Sequence, residues 1–510
     1  MQWLNKIADE LIVRHPEGDI VVSSGVSPSG TYHLGTLREV LTAEAIAWEV
    51  RRRGRTAQHL HIVDDLDVFR KVPANVPESY KQYLGKPLCD IPSPDGSDKS
   101  YADFYVGDLF IAADKMHLDM RVVRAHEKYR AGFFVEAIEK ALEQKEAIKQ
   151  ILESISGHAV DDNWSPVQVV EDGYLKNRPL VSFDKDSKNL VFKDKDSQDR
   201  QISYASGEVK LNWRIDWPAR WWLLGVNAEP FGRDHATKGG SYDTGAAIVK
   251  DIYSGEAPIP APYNFINRTG DTKKMSKSAG DVITAAELLE VLPPEVVWFF
   301  VLRYAPDKLL FFDEGPTLMR LVDEFGELLA KPAKSDSEKQ LLELSLHGVE
   351  QPTVSRVPFT LLLASYQAAL KDIDKTLEII SRTEYQQVAS QDAQIIKNEL
   401  KFIDAWLSTR APDDIKFSLQ DSFDASGFTD VQKKFMADLA DKIEAAPAKA
   451  DGTWFHLAIY EFKDLTGLAP KELFTTLYQA LIGKQSGPRA GWFLSILPRD
   501  WLIKRLRLQD

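Results

Sequence analysis

Ile20-Val21-Val22-Ser23-Ser24-Gly25-Val26-Ser27-Pro28-Ser29-Gly30-Thr31-Tyr32-His33-Leu34-Gly35-Thr36-Leu37-Arg38 is the stretch from which the rest of the chain is read. The β-branched run Ile20, Val21 and Val22 predicts a buried strand. A loop of small residues follows, from Gly25 to Gly30, and an amphipathic helix is predicted from Leu34 onward. Strand, small-residue loop and helix form a phosphate-binding layout. The glycines admit a ligand close to the backbone, and the helix N-terminus offers N–H groups and the positive end of a dipole. His33, at the start of that helix, is placed to donate a hydrogen bond to a phosphate. Gly35 leaves room for a nucleotide base.

Outward from this stretch, the predicted helix runs from Leu34 to Arg53 and stops at Gly54. A second strand, Gln58 to Val63, then ends in Asp64-Asp65-Leu66-Asp67. Strand, helix, strand is a βαβ unit of a parallel sheet, and ligands bind beyond the carboxyl ends of such strands. Asp64, Asp65 and Asp67 therefore lie near the expected site, as contacts to substrate or magnesium or simply as caps of the next segment. Residues 71–103 read as a long irregular segment, of the kind that is usually functional. A helix follows from Tyr101 past Met116, and two more fit 127–156. Over 165–215 the pattern changes to short, turn-rich β segments around a charged tract, Asp184 to Arg200. Four tryptophans (Trp213, Trp217, Trp221, Trp222) then fall within ten residues, together with Asp216. An aromatic and acidic wall for a cationic ligand explains that combination better than core packing alone. A further strand-end loop, Glu229 to Gly245, points Asp234 and His235 toward the same cleft as His33.

A second motif decides the chemistry. Residues 272–280 read Thr-Lys-Lys-Met-Ser-Lys-Ser-Ala-Gly, in which Lys274-Met275-Ser276-Lys277-Ser278 is a complete KMSKS, about 240 residues after His33-Leu34-Gly35-Thr36. The pair, in this order, resembles the signature of class I aminoacyl-tRNA synthetases. The segments 23–38, Asp64-Asp65 with Arg70-Lys71-Val72-Pro73, Gly85-Lys86-Pro87-Leu88, Trp213–Trp221, Gly232–Thr244 and Pro262–Ile266 narrow the resemblance to class I lysyl-tRNA synthetase, over roughly residues 5–330.

The resemblance implies an α/β fold. A Rossmann-type parallel-sheet catalytic domain would span 1–250, with an acceptor-binding insertion at about 80–212 that includes a small β module at 165–211. The KMSKS loop and stem-contact helices would occupy 251–334, and an all-α anticodon-binding domain 335–510. It implies lysine, ATP with magnesium, and tRNA(Lys) as substrates, joined through a lysyl-adenylate. His33, Lys274 and Lys277 would be catalytic. Ser29, Gly30, Gly35, Thr36, Asp234, Met275 and Ser276 would join them around ATP. Gly25, Ser27, Trp213, Asp216, Trp217, His235 and Tyr263 would surround the lysine, with either Trp213 or Trp217 against its side chain. Members of this family often carry zinc-binding cysteine pairs in the insertion. The sole cysteine here is Cys89, so no structural zinc is expected, and how the acceptor stem is held is left open.

Composition sets bounds on the alternatives. Hydrophobic residues make up 44% and charged residues 27%, ordinary for a soluble globular chain. There is no apolar run of membrane-spanning length and no signal-like N-terminus, so no membrane partner is expected, and the single cysteine fits a cytoplasmic chain, expected as a monomer. The net charge of −13 argues weakly against nucleic acid, but a basic face can coexist with an acidic remainder. Arg51-Arg52-Arg53-Gly54-Arg55 and the C-terminal Arg499, Lys504, Arg505 and Arg507 are the candidate basic stretches. Two rival functions remain: an activator that passes lysine to another acceptor, and a non-catalytic regulator that binds tRNA or amino acid.

Overall fold

Strand β1 (Ile20–Val26) is central, and its flanking strands explain why the site forms where it does. The computed structural model describes residues 1–161, 163–270, 283–447 and 450–509. Helix α1 (Gln2–Arg14) precedes β1. Helix α2 (Leu34–Arg52) connects β1 to β2 (Ala57–Val63), and α3 (Tyr101–Lys115) connects β2 to β3 (Met120–Arg124). Between β2 and α3, the segment expected to be irregular holds two short 3-10 turns, at Glu78–Tyr83 and Leu88–Asp90. The two helices expected over 127–156 are three: α4 (Ala125–Arg130), α5 (Val135–Glu143) and α6 (Lys145–Ser156). The first break falls at Gly132, whose φ of +77° lies in the left-handed region that a helix cannot continue through.

Six short antiparallel strands follow: β4 (Val167–Glu171), β5 (Tyr174–Asn177), β6 (Leu180–Asp184), β7 (Asn189–Lys193), β8 (Asp199–Ser203) and β9 (Val209–Leu211). They do not form a separate core. Val167, Val169, Leu190, Phe192 and Val209 are buried together with Ala137 and Ile138 of α5 and with Trp221 of the next helix. That helix, α7 (Trp213–Leu224), leads to β10 (Ala228–Gly232). Helix α8 (Ser241–Asp251) leads on to β11 (Ile259–Tyr263).

The sheet order is β11-β10-β1-β2-β3, all parallel. The chain moves outward from β1 through β2 and β3, then returns to the other side of β1. The order reverses between β1 and β10, and a crevice opens outside the carboxyl ends of the strands at such a reversal. A short parallel pair, β12 (Ile266–Arg268) and β13 (Leu310–Phe312), lies beyond β11.

Two compact units are present. The first comprises Met1–Leu289, Val297–Phe312 and Ser335–Gly348. The second comprises Glu290–Val296, Asp313–Lys334 and Val349–Asp510, and is helical. In the second unit, the stretch 357–381 forms two helices, Phe359–Ala368 and Ile373–Ser381. Leu370 and Lys371 between them have φ of 53° and 65°. Short helices lie at Gln386–Gln391, Ala490–Ile496 and Arg499–Leu506. Among the described residues no helix is long and apolar enough to cross a membrane.

Candidate active site

The crevice between β1 and β10 is built from the helix start outward. His33 is the N-cap of α2, and its ring Nδ1 accepts from the Gly35 N–H at 2.9 Å. A neutral ring that accepts at Nδ1 carries its hydrogen on Nε2, so Nε2 is the ring's donor. Thr36 closes a capping box by accepting from the His33 N–H. The need for glycine at 35 is steric: a Cβ there would lie 2.7 Å from His33 Cε1 and 2.9 Å from Nδ1. The loop before the helix is fixed by Tyr101 of α3, whose hydroxyl donates to the Ser29 carbonyl at 3.1 Å, with Gly30 buried behind it. Ser27 lies at the same strand end, half-buried. Helix N–H groups and an imidazole N–H at one strand end are donors of the kind that suit an anion.

Lys274, Met275, Ser276 and Lys277 lie outside the described residues. Thr284 pairs in antiparallel fashion with His33, and the Ala285 N–H donates to the Tyr32 carbonyl at 2.7 Å. Arg38 of α2 donates to the carbonyl of Phe265 (3.0 Å), before the KMSKS residues, and to the carbonyls of Pro306 (2.9 Å) and Lys308 (2.6 Å), after them. Burial lowers the Arg38 guanidinium to about 10. The segments entering and leaving the KMSKS loop are thus both fastened to the helix that carries His33.

A second set of side chains is acidic and aromatic. Glu39 is one turn beyond Gly35 on α2 and is buried. One carboxylate oxygen accepts from the Gly25 N–H at 2.7 Å, and the other accepts from the Tyr263 hydroxyl at 2.6 Å. Burial, and then Glu39, push the Tyr263 phenol well above its ordinary value, so it stays a donor. Trp213, Trp217 and Trp221 recur every four residues and form one stripe on α7. Trp213 stacks on Trp217 at 5.6 Å between centroids, and the His235 ring meets them at 5.3 and 5.7 Å. Behind this stripe, Glu229 accepts from the indole N–H groups of Trp217 and Trp221. Burial raises the Glu229 pKa. Asp234 is exposed beside His235 on the short turn Arg233–Ala236. Gly25, Tyr263, Trp213, Trp217, Asp234 and His235 are therefore all placed at the carboxyl ends of β1, β10 and β11, or on α7 beside them.

Asp216 is not brought to this group. It is fully buried and turned inward, where Tyr129 donates to it at 2.5 Å, Lys210 lies 3.2 Å away and Arg220 makes a further ion pair. Successive helix residues are about 100° apart, so Asp216 cannot share the face of Trp217. Asp64 belongs to the same inward cluster, 2.9 Å from Arg220 and 3.8 Å from Lys210. Burial opposes these charges, yet Asp216 and Asp64 outweigh it and hold Lys210 above the usual lysine value. Asp65 pairs with Arg124 (2.5 Å) and His126 (2.7 Å), and Asp67 with Arg70 (2.7 Å). Each acid at the end of β2 thus has a cationic partner. Much of the basic stretches is also occupied. Arg51 pairs with Glu44, Arg52 and Arg53 with Glu49, and Arg507 with Asp441 and Glu444.

Glu39 is the site residue that sequence reading missed. It sits in an apolar-periodic stretch, between Leu37 and Val40, and reads as the polar face of an ordinary helix. The signal was its i+4 spacing from Gly35, which puts both on the face toward β1.

The family profile described as tRNA synthetases class I (K) matches residues 1–352. The chain is 36% identical to lysine–tRNA ligase 1 of Methanosarcina acetivorans, covering 99% of this chain and 98% of that one. It is 34% identical to the lysine–tRNA ligase of Archaeoglobus fulgidus over 99% of both chains, and 32% identical to that of Pyrococcus horikoshii over 100% of both. Matched by this profile over more than half its length and alike to these relatives from end to end, the chain belongs to the class I tRNA synthetases of the lysine type.

Proposed function

We propose that the protein attaches L-lysine to tRNA(Lys) in two steps, using ATP. The observation that carries this reading is a single crevice with an anion-binding pole at His33 and an acidic, aromatic pole at Glu39, Tyr263, Trp213 and Trp217. ATP and a cationic amino acid are the pair of ligands that such a crevice fits.

In the first step a lysine carboxylate oxygen attacks the α-phosphorus of ATP. The bond from that phosphorus to the β-phosphate oxygen breaks, and pyrophosphate leaves. His33 Nε2–H and the α2 N-terminus bind the phosphoryl oxygens as negative charge grows on them. Lys274 and Lys277 take the departing pyrophosphate, with Met275 and Ser276 shaping the loop that presents them. Ser29, Gly30, Gly35 and Thr36 line the nucleotide side, and Asp234 takes the ribose. Glu39 and Tyr263 bind the ε-ammonium, the role first assigned to Asp216. Trp213, Trp217 and His235 enclose the methylenes, and Gly25 and Ser27 border the pocket. Magnesium enters with the ATP phosphates, because the acids at the end of β2 are already held by cations. In the second step a ribose hydroxyl of tRNA attacks the lysyl carbonyl, and AMP leaves.

The β module (165–211) serves the acceptor end, residues 251–334 the stem, and 335–510 the anticodon. The reaction takes place in the cytoplasm, with the chain acting as a monomer. ATP–pyrophosphate exchange across the twenty amino acids, followed by transfer to tRNA, tests the reading. Exchange with lysine and formation of lysyl-tRNA are expected. Exchange with a different amino acid would reject the pocket assignment. Lysine exchange with no transfer to any tRNA would favour the activator for another acceptor.

A further inference from the structure

Most cations named above are tied to carboxylates, but Lys86 and Lys176 are not. Among the described residues neither has a carboxylate within ion-pair distance. Each ammonium rests on tyrosine instead. Lys86 Nζ is 5.9 Å from the ring centroid of Tyr83 and 5.4 Å from that of Tyr174, and Lys176 Nζ is 5.2 Å from the Tyr174 ring. All four side chains are partly exposed, and neighbouring Leu84 is 39% exposed. A cation held on a ring has no counter-charge beside it and keeps outward hydrogens for another partner, whereas the charge of an ion-paired one is already compensated.

The patch is built, and it joins two parts of the first unit. The β4–β5 hairpin turns at Asp172 and Gly173, both with positive φ, and lays Tyr174 against Gly85. The Leu175 N–H donates to the Gly85 carbonyl at 2.9 Å. Gly85 has a φ of +94°, and a Cβ there would stand 3.2 Å from the Tyr174 ring and 3.5 Å from Lys176 Nζ. On its other side the segment pairs with the chain leaving β2. The Phe69 N–H donates to the Lys86 carbonyl at 2.8 Å, the Gly85 N–H to the Phe69 carbonyl at 2.9 Å, and the Leu88 N–H to the Asp67 carbonyl at 3.0 Å. The lysines thus stand where the inserted module meets the chain leaving the carboxyl end of β2.

We infer that Lys86, Lys176, Tyr83 and Tyr174 form a surface that grips the phosphate backbone at the acceptor end of the tRNA. The inference rests on the ligase reading and supplies what the cysteine-free module left open. Uncompensated lysines interleaved with aromatic rings fit RNA, since phosphates take the charge and bases or riboses lie on the rings.

The test uses the full chain with Lys86→Ala and Lys176→Ala together. Lysine-dependent ATP–pyrophosphate exchange without tRNA should be unchanged. The KM for tRNA in aminoacylation should rise about tenfold, and the slope of log affinity against log salt should flatten by about 1.4 to 1.8. Lys86→Arg with Lys176→Arg should restore most of the affinity. An unchanged KM and salt slope would overturn the proposal, as would a parallel loss of exchange, which would mean the patch acts on the crevice itself. Direct tRNA binding, measured without lysine or ATP, separates the two readings. Charge-sensitive binding by a wild-type chain that shows no lysine exchange would reject the ligase and keep the patch.

Discussion

Glu39→Gln keeps the shape of the side chain and one acceptor for the Gly25 N–H or the Tyr263 hydroxyl, but removes the charge. The KM for lysine in pyrophosphate exchange is expected to rise between about ten- and one-hundredfold, the worth of a charge-assisted hydrogen bond, while the KM for ATP stays within about twofold. Unchanged lysine dependence would remove Glu39 from the pocket. At this scale the sequence was legible where chemistry and punctuation coincide. His33 and Gly35 announce themselves because a histidine N-cap and a glycine that clears its ring are uncommon together. Glu39 did not, since one acid in an amphipathic helix looks like every other. Asp216 was misleading for the opposite reason: it is adjacent to Trp217 in sequence, but the helix turns it into an ion cluster with Lys210 and Arg220.

Three carboxylates in the second unit hold one connecting segment. The Thr353, Ser355 and Phe359 N–H groups donate to Glu295 (2.6 Å), Glu399 (2.8 Å) and Asp323 (2.6 Å). Glu399 is buried within helix Ala393–Thr409, and burial raises it to about 8, with Glu295 and Asp323 adding to the shift. The unfolded chain releases this proton near 4.5, while the folded unit keeps it to about 8, so its contribution to stability falls as pH rises through that window. Glu399→Gln should flatten this dependence, with a difference between variant and wild type on the order of a few kcal/mol between pH 5 and 8. Denaturant midpoints across that range measure it, and parallel pH profiles would show the residue to be charged when folded. Elements of this unit were legible as helices by their periodicity. Their breaks were not: Leu370 and Lys371 adopt left-handed backbone, which neither residue type advertises. The tryptophan stripe on α7 shows the reverse case, in which spacing alone gives the shared face.

Over the whole molecule, the parallel sheet followed from βαβ spacing, whereas its reversal point and the way distant segments close on one another did not. Gln340 is buried in helix Asp336–Ser345 and donates to Asn5 (2.9 Å) and Glu49 (2.8 Å), both in the first unit with it. No local pattern could reveal a contact across 291 residues. Gln340→Ala leaves Glu49 short of a buried donor and should cost about 1–3 kcal/mol, seen as a lower midpoint for the transition in which the first unit unfolds. An unaltered midpoint would make the contact incidental. The same arrangement governs how the protein emerges from the ribosome. The sheet's last strand is complete at Tyr263, but the helix that covers α1 and α2 is delivered only with Ser335–Gly348. At roughly 5–20 residues per second, several seconds separate those two events. During that interval the face awaiting Gln340 is bare, and a nascent chain stalled there would present to chaperones a finished sheet with an unfinished flank.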